Sequence, residues 1–303
     1  MHITLGSDPE LFVTKGGKFR SAYGLIPGTK KEPHPVENGM VQIDGVALEI
    51  GITATDDEDT WVNNHKSVLK QLRDMVPEEY EFALVPACKF NFRHLNAQPD
   101  EAKELGCDPD FNAYTLEANP RPNAATTLRT ASGHVHIGFC EDADITDPAH
   151  IQRCATLVKQ LDCYLGIPSV YWDHDEDRRK LYGKAGAFRP KPYGVEYRVL
   201  SNAWLKDENL MRFVFRGANL AVEKLLGGQR PFLDIGEARV ADQINKSARF
   251  TGSFIKLPGI ADIKPLITKY IDCNNYKAVW TNRDHRHIPI KGAFNYAPDA
   301  IAV

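Results

Sequence analysis

The chain has 303 residues, 43% hydrophobic and 25% charged, which excludes a disordered chain. Its 37 lysines and arginines against 40 acids give a net charge of -3 and a pI near 6.4, so no global basic field holds DNA or an anionic membrane. No run approaches ~18 apolar residues, and the start Met-His-Ile-Thr-Leu-Gly lacks a basic-then-apolar leader, so a cytoplasmic chain without a membrane span is expected.

Residues 8–15 read as a strand that Gly16-Gly17 turns back on itself. The proline-rich stretch 24–38 is a long loop, and 40–52 is a hairpin around Asp44-Gly45. Over 57–76, Trp61, Val62, His65, Val68, Leu69, Leu72 and Met75 recur at three and four, which predicts an amphipathic helix capped by Thr55 or Asp56. Residues 81–88 return to a strand. The stretch 91–128 is a long, weakly periodic excursion, and such loops in compact domains are usually functional. A strand at 130–139, a helix at 147–165, a charged loop at 173–192 and a strand at 193–201 follow. Helices are expected at 207–226, 235–248 and 261–272. Hairpins and long loops in place of regular crossovers argue for an α+β fold on a largely antiparallel sheet, not a doubly wound one. We expect a catalytic sheet domain over 1–205, with a mostly helical section over 206–303 packed on it.

Cys88, Cys107, Cys140, Cys154, Cys163 and Cys273 form no Cys-x-x-Cys pair, so they read as reduced thiols rather than a zinc ribbon. The chemistry is carried instead by four strands with one asymmetry. Alternation places Asp8, Glu10 and Phe12 on one face, Glu49 between Ala47 and Gly51, His134 with His136, and Glu196 with Arg198. The opposite faces are apolar. A solvated sheet face would mix Lys, Thr, Ser and Glu. This one gathers carboxylates and imidazoles beside small residues. Clustered carboxylates repel unless cations offset them, and hard oxygen donors suit Mg²⁺ or Mn²⁺ better than zinc. Six cations fall within 178–191: Arg178, Arg179, Lys180, Lys184, Arg189 and Lys191. That loop runs into the Glu196 strand. Cations for phosphate beside carboxylates for metal are what a nucleoside triphosphate requires. No Walker loop and no G-x-G-x-x-G is present.

The motifs GSDPELFV, DGVALEIG, SGHVHIGF and GVEYRV, in that order, resemble the catalytic strands of the glutamine synthetase and glutamate–cysteine ligase superfamily. More closely, with Pro27 to Lys30 as a Pro-Gly-Thr-Lys loop, residues 1–205 resemble its phage-encoded carboxylate–amine ligases. The resemblance implies a curved sheet of glutamine synthetase type, with helices on one face. It implies ATP and two or more Mg²⁺ or Mn²⁺ ions, and small-molecule or peptide acid and amine substrates. It further implies Asp8, Glu10, Glu49, His134 and Glu196 as metal ligands, with Asp44 a weaker candidate. His136, Arg179, Lys184, Arg189 and Arg198 would contact nucleotide phosphates. Arg198 would also act catalytically, and Glu117 is a candidate base for the amine. Glutamine synthesis itself is not implied, since the separate N-terminal domain and the longer chain of that enzyme are missing. Two other classes stay open: a zinc hydrolase of an amide or phosphoester built on the His-x-His strand, with His150 or His174 as third ligand, and a noncatalytic phage protein that keeps a ligase fold.

Overall fold

The computed structural model describes residues 3–103, 110–120, 126–246 and 261–271. Strand β1 (Thr4–Ser7) passes through Asp8-Pro9 into β2 (Glu10–Lys15), which turns back as β3 (Lys18–Arg20). After the proline-rich loop come β4 (His34–Val36) and the hairpin β5 (Gly39–Asp44) and β6 (Ala47–Ile52). Helix α1 (Glu58–Met75) follows. Its cap is Asp57, whose carboxylate accepts from Thr60 N at 2.7 Å, and neither Thr55 nor Asp56. Thr55 is otherwise engaged, since its backbone exchanges two hydrogen bonds with Leu5.

The strand expected at 81–88 is two, β7 (Glu81–Ala83) and β8 (Ala87–Lys89), interrupted at Pro86. The excursion contains the short helices α2 (Phe92–Asn96) and α3 (Asp100–Lys103) and the strand β9 (Phe111–Asn112). The strand expected at 130–139 is also two, β10 (Leu128–Thr130) and β11 (Val135–Gly138). Gly133 lies in the break, because a Cβ there would meet Trp204 Nε1 at 2.4 Å. Helix α4 (Pro148–Leu161) runs through a π turn at Asp162–Gly166 into α5 (Ile167–Ser169). The charged loop folds into α6 (Glu176–Leu181), capped by Asp175, and β12 (Ala187–Lys191), followed by β13 (Gly194–Tyr197). Then come α7 (Glu208–Leu226), α8 (Pro231–Ile235), α9 (Glu237–Asn245) and α10 (Lys264–Tyr270). The ends of the helices expected at 235–248 and 261–272 lie outside the described residues.

Every pairing between these strands is antiparallel, as an α+β fold of this kind requires. One sheet has the order β1-β11-β13-β12-β9. A second has the order β3-β2-β6-β5-β4, with β7 also on β2, and β8 and β10 form a separate ribbon. The chain crosses between the two large sheets at Asp8-Pro9. The junction is tied by Glu10 N to Ser132 O at 2.8 Å and Ile50 N to Pro9 O at 3.1 Å. Alternation does what the sequence implies. Leu5, Val135, Ile137, Val195, Tyr197 and Val199 are fully buried in the main core with residues of α1, α4 and α7. Trp61 and Trp204 stack there with centroids 5.8 Å apart.

The opposite face is less uniform than expected. Phe12 and Ala47, on the Glu10 and Glu49 side, enter a smaller core with Cys88, Phe90 and Leu95, so the excursion covers part of that face. Among the described residues, no helix is long and apolar enough to cross a membrane. Cys88, Cys140, Cys154 and Cys163 are free thiols, while Cys107 and Cys273 lie outside the described residues.

Candidate active site

Strand register assembles the site. β11 and β13 pair His136 with Glu196, β12 and β13 pair Arg189 with Glu196, and β2 and β6 pair Glu10 with Glu49. Two groups result, each with oxygen or nitrogen atoms within 4.8 Å of one another: Asp8 with His136 and Glu196, and Glu10 with Asp44 and Glu49. Asp44, the weaker candidate, therefore completes the second group.

The first group is internally balanced. Asp8 Oδ1 lies 3.1 Å from His134 Nδ1 and 3.2 Å from His136 Nε2. Burial disfavours the Asp8 charge, but the imidazoles of His136 and His134 outweigh it and hold its carboxyl well below the usual range. The histidines part company. Burial and the Arg198 charge push His134 down, whereas for His136 the Asp8 carboxylate outweighs burial and raises it. The geometry thus puts His136 in the ligand group. His134 Nδ1 instead bridges Asp8 and Glu196, the latter at 3.4 Å. His136 Nδ1 meets the Tyr193 hydroxyl, a partner the motif did not announce.

Glu196 is 1% exposed and draws cations from three sides. Lys191 Nζ lies 2.8 Å and Arg189 Nη1 3.6 Å from its Oε2, and Arg198 Nη1 bonds its Oε1. Arg198 also donates from Nε to Asp110 Oδ2 at 3.3 Å and lies over the Tyr182 ring at 5.2 Å. Asp110 is the carboxylate that the excursion delivers to the site.

The second group carries an excess of negative charge. Burial, then Asp44, pushes Glu10 up to about 8. Burial, then Asp8 and Asp44, pushes Glu49 well above the carboxylate range. Ser132 N holds Glu10 Oε2 in place at 2.7 Å. Behind it, the buried Ser7 hydroxyl donates to His65 Nε2 at 2.7 Å, and His65 Nδ1 donates to Trp61 O, which fixes the end of β1 on α1.

Other expected positions fall elsewhere. Arg179, expected at phosphate, is 1% exposed; it bonds Ser169 Oγ at 3.0 Å and lies 3.6 Å from Asp173. Arg178 is equally internal and donates to the Val199 and Leu200 carbonyls. The basic loop is therefore no single cationic surface, and Arg179 braces the fold. Lys180 pairs with Asp177 at the surface. Lys184 is half-buried and makes no ion pair among the described residues. Glu117 is exposed, and no hydrogen bond or ion pair among the described residues links its carboxylate to either group; it sits on a turn whose backbone bonds Asn112. His150 Nε2 meets the Lys191 carbonyl at 3.0 Å, and among the described residues no metal-competent group contains His150 or two histidines, so the zinc geometry is not assembled.

Residues 130–261 match the family described as phage phiEco32-like COOH.NH2 ligase-type 2. The resemblance to the carboxylate–amine ligases holds over this span, which does not include the GSDPELFV and DGVALEIG strands. The matched span carries the His-x-His and Glu-x-Arg strands and extends past 205 into the helical section, where no motif was recognised from sequence. No curated protein matches the chain. Among solved structures, it is similar to a bifunctional glutathione synthetase from Pasteurella multocida, with 10% identity and a TM-score of 0.41, over 91% of this chain and 48% of that one. It is also similar to a structure described as a novel glutamine synthase homolog, with 11% identity and a TM-score of 0.38, over 92% and 71% of the two chains. The chain thus spans about half the length of that glutathione synthetase.

Proposed function

We propose that the chain is an ATP-dependent carboxylate–amine ligase, joining an acid and an amine through an acyl phosphate with release of ADP and phosphate. The observation that carries this reading is the meeting, at one sheet junction, of two acid groups with Arg189, Lys191 and Arg198. A carboxylate does not condense with an amine in water because oxide is a poor leaving group. Phosphorylation supplies a better one.

The donors fit Mg²⁺ or Mn²⁺, being mostly carboxylate oxygens, and the buried His134 Nε2 has no hydrogen-bond partner among the described residues. Asp8, His136 and Glu196 would hold one ion, with His134 beside them, and Glu10, Asp44 and Glu49 another. Bound there, such ions supply charge compensation for a triphosphate. The chain's own part is electrostatic. Arg198, clamped by Asp110 and Glu196, presents a fixed guanidinium to the phosphoryl group in transfer, and Arg189 and Lys191 add positive charge on the same side. The substrates are an acid and an amine of small-molecule or peptide class.

The reading is tested by incubating the protein with ATP, Mg²⁺ and acid–amine pairs, and following ADP and amide together. Glu196→Ala and Arg198→Ala should each lower turnover at least ~100-fold, with unchanged circular dichroism. Full activity in both variants would remove the site assignment.

A further inference from the structure

The Glu10–Asp44–Glu49 group is not met by acids alone. Lys30 Nζ lies 2.6 Å from Asp44 Oδ1, so one ammonium already rests against a carboxylate of this group. The backbone carrying it is pinned. Gly28 takes a φ of 96°, and a Cβ there would stand 2.5 Å from the Val41 carbonyl oxygen. The Gly28 carbonyl accepts from Ile43 N at 3.1 Å, and Thr29 forms a bridge to Ile43. The Lys30 side chain, in contrast, is 42% exposed. Its flexible four-carbon stem can swing out while the loop stays in place. Glu196 differs, because Arg189 and Lys191 belong to β12 itself and Arg198 is clamped by Asp110.

We propose that Lys30 is the resident counter-ion of the Glu10–Asp44–Glu49 group and is exchanged for a divalent cation when one binds. The ammonium carries one positive charge to the group, and a divalent ion brings two to the same oxygens. Both cannot take Asp44 Oδ1 at once, since like charges in contact repel. The exchange makes and breaks no covalent bond: one cation enters and the ammonium moves to solvent. It rests on the cation reading of this group given above, and not on ATP or on any substrate.

The test is a Mn²⁺ titration of the full chain without nucleotide, read by calorimetry and by the spin resonance of free Mn²⁺. Lys30→Met should bind Mn²⁺ about five-fold more tightly than the wild type, the equivalent of one partly exposed ion pair. Introduced into Asp44→Asn, which has lost the shared oxygen, Lys30→Met should bring no such gain, and Lys30→Arg in the wild-type background should stay near wild type. In the unmutated protein, acylation of Lys30 by an amine-reactive reagent, measured by mass spectrometry, should rise as Mn²⁺ saturates. Mn²⁺ binding that is unchanged or weaker in Lys30→Met, with the wild type still binding, overturns the exchange alone. A wild type that binds no Mn²⁺ overturns the exchange and the cation reading together.

Discussion

At the scale of single residues, the positions that alternate along strands were legible in the sequence and those brought in from afar were not. His134, His136, Glu196 and Arg198 stand out because a period of two puts each pair on one face among apolar neighbours. The register that sets His136 against Glu196 is a long-range fact, and the family resemblance implies the ligand role for His134 instead. Asp110 was missed because its segment has no periodicity to mark it. The Arg178-Arg179 run misled because a count of cations does not reveal burial; Asp173, their buried partner, lies a few residues upstream in an unpatterned turn. Asp110 gives a test at this scale. Asp110→Ala releases Arg198 Nε while leaving Glu196 in place, so kcat should fall about ten-fold, the equivalent of one charge-assisted hydrogen bond. Asp110→Asn, which retains an acceptor, should fall less. Equal turnover in Asp110→Ala and the wild type would show that the clamp plays no part.

At the scale of elements, the long helices α1, α4 and α7 are legible because their apolar stripes are long, whereas the short α2, α3, α6 and α8 carry no such stripe. The strands were read as longer than they are, because Pro86 and Gly133 break runs whose composition is otherwise continuous. The π turn at Asp162–Gly166 had no sequence signal at all. It buries Asp162, whose carboxylate accepts from Tyr114 Oη at 2.8 Å, Tyr197 Oη at 2.7 Å and Gly186 N at 2.7 Å. One side chain thus ties the excursion, the loop before β12 and the strand bearing Glu196 to α4. Burial raises this carboxyl to about 7 despite the three donors. Asp162→Ala removes all three bonds and should cost about 3 kcal/mol in urea unfolding, at about 1 kcal/mol each. Backbone exchange should speed up at Gly186 and across residues 110–120. A loss below about 0.5 kcal/mol would mean that the tie carries no stability.

At the scale of the whole molecule, the near-neutral total conceals a local separation of charge. The Glu10–Asp44–Glu49 group bears more negative charge than its surroundings offset, and this gives stability a direction with pH. Glu10 titrates near 8 in the folded chain and near its ordinary value, about 4.5, in the unfolded one. The unfolded chain therefore binds fewer protons between these values, and the stability present below about 4.5 is lost as pH rises through about 8. Without divalent cations, Tm should fall across this window and level off above it. Added Mg²⁺ should restore Tm most at the alkaline end, because cation and protons compete for the same oxygens. A Glu10→Gln variant should lose part of the pH slope and keep the part that Glu49 and Asp162, also raised by burial, contribute. A Tm that rises with pH over this range in the absence of divalent cations would contradict the charge account.

The chemistry proposed for this junction is activation of a carboxylate by phosphoryl transfer. Hydroxylamine tests it most directly, because it intercepts an acyl phosphate without needing the natural amine. The protein is incubated with ATP, Mg²⁺, hydroxylamine and a panel of amino acids and peptide carboxylates, and ADP and hydroxamate are quantified together. Equimolar ADP and hydroxamate are expected with at least one acid, dependent on that acid and lost in Glu196→Ala. ADP release that is indifferent to acid, or that survives in Glu196→Ala, would contradict it.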